Sequence, residues 1–251
     1  MKYLVIGPGA MAFYAMLGYL KNIEKRLTDV QEISGASAGS ILAVLFALGK
    51  TVDEMIDISL RLNISDLVKL NLKCFLHSYG LVDLEALREK LVYICGCDPT
   101  FMELTKKIYI SAFCVNTGKT EYFSADTHPD MKVLDAVCMS IAIPFLFSSR
   151  KYKGNTYVDG GTVESMPLAP FLAHKPYDIH CIQIQSNIPY VENIDNPRVF
   201  AENIMRSALV NRYDYDTRDY NVKIIDVGDM DIFDFNMSYE DKIRMLTKGI
   251  S

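Results

Sequence analysis

Gly35-Ala36-Ser37-Ala38-Gly39 is a G-x-S-x-G sequence lying between an apolar run and a strongly apolar helical stretch. That is the pattern of a nucleophile elbow, in which a strand turns sharply into a helix and holds a serine Oγ clear of the backbone for attack. The turn tolerates only small neighbours, and Gly35, Ala36, Ala38 and Gly39 meet that requirement. Ser40-Ile41-Leu42-Ala43-Val44-Leu45-Phe46-Ala47-Leu48 follows, apolar on every face until Gly49 ends it. A buried helix is expected there, with the positive end of its dipole at Ser37. The chemistry these residues point to is acyl-ester hydrolysis through a serine nucleophile.

Two further sites carry polar or glycine chemistry. Gly7-Pro8-Gly9-Ala10-Met11-Ala12 follows Tyr3-Leu4-Val5-Ile6 and fits the G-x-G-x-x-A dinucleotide fingerprint. The cofactor reading wants an acidic residue closing the second strand, where this chain has Ser34-Gly35-Ala36-Ser37 instead. The alternative is an oxyanion hole at Gly7, Gly9 and Ala10, whose backbone N–H groups would meet a developing negative oxygen. Pro8 has no N–H, so Gly9 and Ala10 are the better donors. A tight strand-to-helix turn with no chemistry is the third reading. At Tyr157-Val158-Asp159-Gly160-Gly161 the Asp-Gly step, taken alone, is ordinary turn chemistry.

The elements that must position these residues alternate between strand and helix, the pattern of an α/β fold with a largely parallel sheet covered on both faces. Strands are expected at Tyr3 to Ile6, Val30 to Ile33, Ile179 to Gln185 and Val222 to Val227. Helices are expected from about Ala10 to Glu24, through the elbow to Gly49, and from Leu134 to Ile143 before Pro144. Further helices are expected from Val199 to Val210 and after Ser238. Thr51-Val52-Asp53-Glu54 and Asp83-Leu84-Glu85 open others, and Thr100-Phe101-Met102-Glu103 is a capping box. Ile108 to Val115 and Thr120 to Ser124 flank Asn116-Thr117-Gly118-Lys119 as a hairpin. With 251 residues and no linker-like stretch, one domain spanning 1-251 is expected.

Apolar residues make up 50% of the chain and the net charge is -5, which argues against nucleic acid as a partner. Residues 33 to 49 are uncharged but too short to span a bilayer, so membrane contact would be local and peripheral. Met1 to Ile6 reads as a strand entering a glycine turn, so no secretory signal is expected, and the six cysteines lie mostly among apolar neighbours. A cytoplasmic, reducing setting is the expectation. Cys95-Gly96-Cys97 lacks the partners of a zinc site, and Asp226, Asp229, Asp231 and Asp234 lack the glycine and closing Glu of an EF-hand. Neither a metal nor a cofactor is called for. Leu70 to Tyr79 mixes apolar and basic residues; core packing is favoured there over a lid or interfacial surface. The basic stretch from Arg150 to Asn155 is expected to be an exposed turn.

Taken together, the strand-end glycine turn, the elbow and the Asp-Gly-Gly after a strand closely resemble the patatin-like phospholipases. The similarity runs from Tyr3 to about Leu168, with a weaker echo in the final strand and helix. Ser140-Ile141-Ala142-Ile143-Pro144 resembles the S-x-A-x-P segment of that family, and Gly118 and Tyr157 fall in matching places. The resemblance implies a three-layer α/β/α fold, a Ser37-Asp159 dyad in place of a triad, and Gly160 and Gly161 as residues that let Asp159 approach. It implies a phospholipid or other acyl-ester lipid as substrate. Three departures stand out: Pro8 and Met11 replace a usual glycine and a usual Arg or Lys, Ala12 replaces the last glycine, and Glu164 and Ser165 replace asparagines common after D-G-G. A competing α/β-hydrolase would place its catalytic His late in the chain, yet none of the four histidines falls after His180. A silent lipid-binding module on the same fold is the other alternative.

Overall fold

The computed structural model describes residues 1–187, 190–196, 199–200, 203–204, 207 and 215–250, apart from the side chain of Leu72. The strands are β1 (Tyr3–Ile6), β2 (Glu32–Ala36), β3 (Gly80–Val82), β4 (Lys107–Cys114), β5 (Lys119–Phe123), β6 (Phe145–Phe147), β7 (Arg150–Tyr152), β8 (Asn155–Asp159), β9 (Ile179–Gln185) and β10 (Asn221–Asp226). The helices are α1 (Phe13–Asn22), α2 (Glu24–Leu27), α3 (Ala38–Ala47), α4 (Val52–Arg61), α5 (Leu72–Ser78), α6 (Glu85–Cys95), α7 (Val133–Ser140) and α8 (Tyr239–Ile250).

The central sheet runs β10-β9-β1-β2-β4-β8-β7, with β5 also pairing with β4. Its five strands from β10 to β4 are parallel, whereas β5, β8 and β7 pair antiparallel. The expected mostly parallel sheet is therefore present, with an antiparallel margin built by the β4-β5 and β7-β8 hairpins. Side chains alternate across β1: Leu4 and Ile6 face the larger core shared with α1, α3, α4, α7 and α8, while Val5 faces a smaller one. Among the described residues, Met166, Leu168 and Phe171 cover Val5, Ile179 and Cys181 on that second face. The sheet thus lies between two layers, as the α/β/α expectation requires.

Local signals placed most boundaries, and tertiary context moved several. Thr51 caps α4 in a full capping box, Gly49 ends the elbow helix at φ 78°, and Gly118 turns the β4-β5 hairpin at φ 67°. β2 was expected to stop at Ile33 but reaches Ala36, because Gly35 and Ala36 pair with Ile110 and Ser111 of β4 whatever their own strand propensity. The first helix breaks at Ile23 into α1 and α2, and α7 stops at Ser140 rather than Ile143. The Thr100 box closes only a single 3-10 turn, Phe101–Glu103. Most of the helix expected from Val199 to Val210 lies outside the described residues. Leu70 to Tyr79 departs from its expected core packing: α5 and its flanks are exposed at the surface. Arg150, at the start of the basic hairpin, pairs with Glu85 at 3.2 Å.

His180 on β9 is buried against α1, where its Nε2 is 2.8 Å from the Tyr19 hydroxyl. Burial, assisted by the Arg26 charge, pushes this imidazole down from 6.5 to about 4. An unfolded chain takes up a proton near pH 6.5 that the folded chain refuses until much lower pH. Stability from His180 is therefore complete above pH 6.5 and lost progressively toward pH 4, on the order of 2 kcal/mol allowing for solvent screening. Thermal melts at pH 7 and pH 5 should show the decline, and a His180→Gln variant should show a shallower one. An unchanged slope in that variant would assign the pH dependence to other groups.

Candidate active site

Ser37 follows β2 and begins α3 with φ 53° and ψ -127°, a conformation costly for a residue with a side chain. The elbow holds because the backbones around it nearly touch. A Cβ on Gly39 would collide with the Ile6 and Gly7 carbonyls, and one on Gly35 would lie 2.6 Å from the Gly39 oxygen. The Ser37 carbonyl receives both the Ser40 amide at 2.9 Å and the Ser40 hydroxyl at 2.6 Å. On the other side, the Ser37 N–H donates to Ser140 Oγ at 2.8 Å.

Asp159 ends β8, and the sheet register explains why it meets Ser37. On the intervening strand β4, Ser111 pairs with Ala36, the residue before Ser37, and the adjacent Ala112 pairs with Asp159. The Ser37 and Asp159 side chains thus emerge from neighbouring rungs at the same end of the sheet. Ser37 Oγ donates to Asp159 Oδ2 at 2.5 Å. Asp159 Oδ1 accepts from the Gly161 N–H at 2.7 Å, and its own N–H donates to the Ala142 carbonyl at 2.9 Å. Ser37 is 5% exposed and Asp159 3%, so the pair is largely shielded from bulk water. A Cβ on Gly160 would strike the Ser111 carbonyl, which accounts for glycine there.

The glycine turn after β1 sits beside this pair. The Gly7 N–H donates to the Ile182 carbonyl at 3.0 Å, which removes it as a free donor and corrects the expected three-residue hole. Met11 N–H is likewise taken up by the Ile232 carbonyl at 2.9 Å. Among the described residues neither the Gly9 nor the Ala10 N–H has a backbone acceptor, and Ala10 lies at φ 44°. Pro8 has a packing role of its own, since a Cβ on Gly161 would lie 2.6 Å from the Pro8 Cβ. The proline ring therefore rests against the loop that holds Asp159.

Glu164, another departure from the family pattern, accepts from the Tyr122 hydroxyl at 2.6 Å and ties the stretch after Gly161 to β5. Burial and the adjacent Glu164 charge push the Tyr122 phenol well above its ordinary value, so the tyrosine remains the donor. Ser140 and Glu164 are the supporting residues whose contacts sequence reasoning missed. The S-x-A-x-P segment was visible, but its reach to a serine 103 positions away was not.

The histidines that a triad would need sit elsewhere. His180 pairs in register with Leu4, which pairs with Ile33, four residues before Ser37 and so about 13 Å away along the strands. His174 stacks on Tyr3 with ring centroids 4.1 Å apart, at the same far end of β1. In the acidic loop, Asp226, Asp231 and Asp234 each accept a backbone N–H two residues ahead, and Asp229 accepts from Asn187. These carboxylates shape the loop as Asx turns. All six cysteines are free thiols, with Cys97 exposed.

A patatin-like phospholipase family profile matches residues 4–172. The chain belongs to the patatin-like phospholipase family. Among its relatives, a probable lipid hydrolase, 463L, of Invertebrate iridescent virus 6 is 28% identical over 185 residues, covering 66% of this chain and 62% of that protein. A cGAMP-activated phospholipase of Escherichia coli (strain TW11681) is 29% identical over 154 residues, covering 54% of this chain and 41% of its own length. The chain thus spans less than two thirds of the length of either relative. In fold, VipD from Legionella pneumophila matches with a TM-score of 0.69 at 17% identity, over 99% of this chain and 65% of that one. The patatin-like assignment accounts for all three glycine-bearing motifs at once and leaves the dinucleotide and α/β-hydrolase readings without support.

Proposed function

We propose that this patatin-like chain is a lipid acyl hydrolase working through a Ser37-Asp159 dyad and a serine acyl-enzyme. The observation that carries the reading is the 2.5 Å hydrogen bond from Ser37 Oγ to Asp159 Oδ2, made between two buried side chains at the mouth of a strained elbow. A carboxylate is a weak base toward a hydroxyl, so it needs direct contact and partial desolvation to act, and both conditions are met here. Relatives named as a lipid hydrolase and as a phospholipase support the choice of lipid over other acyl esters.

In this mechanism Ser37 Oγ attacks the ester carbonyl as its proton passes to Asp159 Oδ2. The N–H groups of Gly9 and Ala10 stabilise the oxyanion, and the positive end of α3 adds to the field. Collapse of the tetrahedral intermediate breaks the bond to the alcohol, which leaves with the proton from Asp159. Water, deprotonated by the same carboxylate, then attacks the serine ester, and the fatty acid is released as the proton on Asp159 returns to the leaving Ser37 Oγ. Gly161 N–H keeps Asp159 Oδ1 occupied throughout, so Oδ2 is the oxygen that exchanges the proton. The substrate class is a phospholipid or another acyl-ester lipid met by peripheral contact with its aggregate.

Incubation with a panel of phospholipids, lysophospholipids and acylglycerols in mixed micelles tests the reading. Release of fatty acid in equal amounts with the deacylated lipid is the expected result. Absence of release from every member by folded enzyme would contradict it. For the oxyanion turn, a Cβ on Gly9 would lie 2.5 Å from Met16 Cε and 2.9 Å from Ile184 Cγ1, so Gly9→Val must shift the turn or its neighbours. The variant should lose on the order of 10²-fold in kcat with a smaller change in KM. A folded Gly9→Val enzyme with wild-type kcat would move the oxyanion site elsewhere.

A further inference from the structure

The α5 segment is left unexplained by the dyad and has the wrong composition for its position. Leu70 is 58% exposed, Leu76 76% and Tyr79 61%, and Phe75 is also exposed. At about 100° per residue, Phe75 and Leu76 lie about 100° apart on the helix, with Lys73 about 60° beyond Leu76 and His77 about 100° beyond it. Tyr79 ends the helix at φ 59°. The stretch from Leu67 to Val82 has no acidic residue, although exposed Asp66 and Asp83 bound it, and Lys69, Lys73 and His77 are all exposed, in a chain whose net charge is -5. The patch thus sets exposed apolar side chains beside two lysines on an otherwise acidic protein.

This patch is tied to the reacting pair by a short series of contacts. Asn71 N–H donates to the Leu81 carbonyl at 2.6 Å, and the N–H and hydroxyl of Ser149 both donate to the Ser78 carbonyl, at 2.8 and 2.9 Å. β3 then pairs with β6, whose first residue, Phe145, is 47% exposed at φ 66°. Phe145 lies three residues beyond Ala142, which holds the Asp159 N–H, and five beyond Ser140, which holds the Ser37 N–H. The exposed apolar surface is therefore continuous with the segment that supports both reacting residues.

We propose that α5 and its flanks, Leu70 to Tyr79 together with Phe145, form a docking face for an anionic lipid surface. The inference rests on the lipid hydrolase reading for its reason to meet a membrane, and on charge and exposure for the choice of surface. A short helix with apolar side chains beside lysines lies in the headgroup region, its apolar groups inserted and its cations on lipid phosphates. Docked in this way, Phe145 would bring the elbow end of the sheet to the bilayer, so that a lipid enters the site without crossing open water.

Flotation of the full chain with vesicles of phosphatidylcholine alone, or of phosphatidylcholine mixed with phosphatidylglycerol, tests the proposal alongside turnover of a soluble, monomeric short-chain ester. The wild type should float with the anionic vesicles and far less with the neutral ones. Leu76→Ser should weaken that binding by about tenfold or more, the loss expected for one inserted leucine. Lys69→Glu with Lys73→Glu should weaken it by a similar factor, because two surface cations are reversed. All variants should keep wild-type turnover of the monomeric ester, since none of these residues touches the reacting pair, and should lose turnover on anionic vesicles in step with binding. Wild-type flotation by the charge-reversed and Leu76→Ser variants would overturn the proposal, as would a lipid-free self-association that Leu76→Ser abolishes. Flotation needs no catalysis, so a wild type that binds anionic vesicles but cleaves no ester would overturn the hydrolase reading and leave the docking face supported.

Discussion

Ser37→Ala should lower ester turnover on the order of 10⁴-fold or more while the chain stays folded. The expectation follows from the elbow geometry. A methyl group fits the space of a hydroxymethyl, so the crowded contacts among Gly35, Gly39 and the Ile6 carbonyl are untouched. The substitution keeps the Ser37 N–H bond to Ser140 Oγ and the capping of α3, because both use backbone atoms. What disappears is the Oγ that attacks and the hydrogen bond to Asp159. Melting temperature should therefore move by a few degrees at most, about 1 kcal/mol corresponding to roughly 2–4 °C in a chain of this size. Turnover by purified Ser37→Ala within tenfold of wild type would end the serine-nucleophile account.

Asp159→Asn should cost nearly as much, on the order of 10³-fold or more. Gly161 N–H holds Oδ1 at 2.7 Å, so the amide oxygen of the variant takes that place and its NH₂ faces Ser37 Oγ. The hydrogen bond at Oγ is then reversed: the hydroxyl must accept where it formerly donated, and no base is left to receive its proton. His174→Ala and His180→Gln should retain most of the turnover, with His180→Gln showing lower stability from the lost Tyr19 contact. A folded His174→Ala or His180→Gln enzyme as inactive as Ser37→Ala would restore a histidine to the mechanism.

The elbow at Ser37 was legible because that residue sits in a backbone turn that dictates its neighbours, whereas Asp159 stood out only through the family resemblance. Small residues at fixed spacing around Ser37 and the two glycines after Asp159 are steric requirements, and steric requirements leave a mark on the sequence. The strand and helix order was legible for a similar reason: apolar runs and caps such as Thr51 and Gly49 are local. The supporting contacts were not. Ser140 Oγ on the Ser37 N–H, Pro8 against Gly161 and Tyr122 on Glu164 join residues far apart in the chain, and their residue types have many other uses. Pro8 and Glu164 read as departures from the family pattern, yet each makes a contact that steadies the Asp159 loop. The Leu70 to Tyr79 segment failed in a different way, since a short apolar run looks the same whether it packs in a core or lies exposed at the surface. Gly7 shows the limit of motif reading within the site itself: its N–H completes a sheet hydrogen bond that only the position of β9 reveals.

The most direct test of the central claim is covalent labelling with a fluorophosphonate, followed by intact mass and peptide mapping. The reagent needs an activated serine and reports on the nucleophile without any assumption about the natural lipid. The dyad predicts a single adduct on the peptide containing Ser37, absent from Ser37→Ala, slowed by orders of magnitude in Asp159→Asn, and formed at close to the wild-type rate in His180→Gln. An adduct that maps to another serine, or that forms at the wild-type rate in Asp159→Asn, would contradict it.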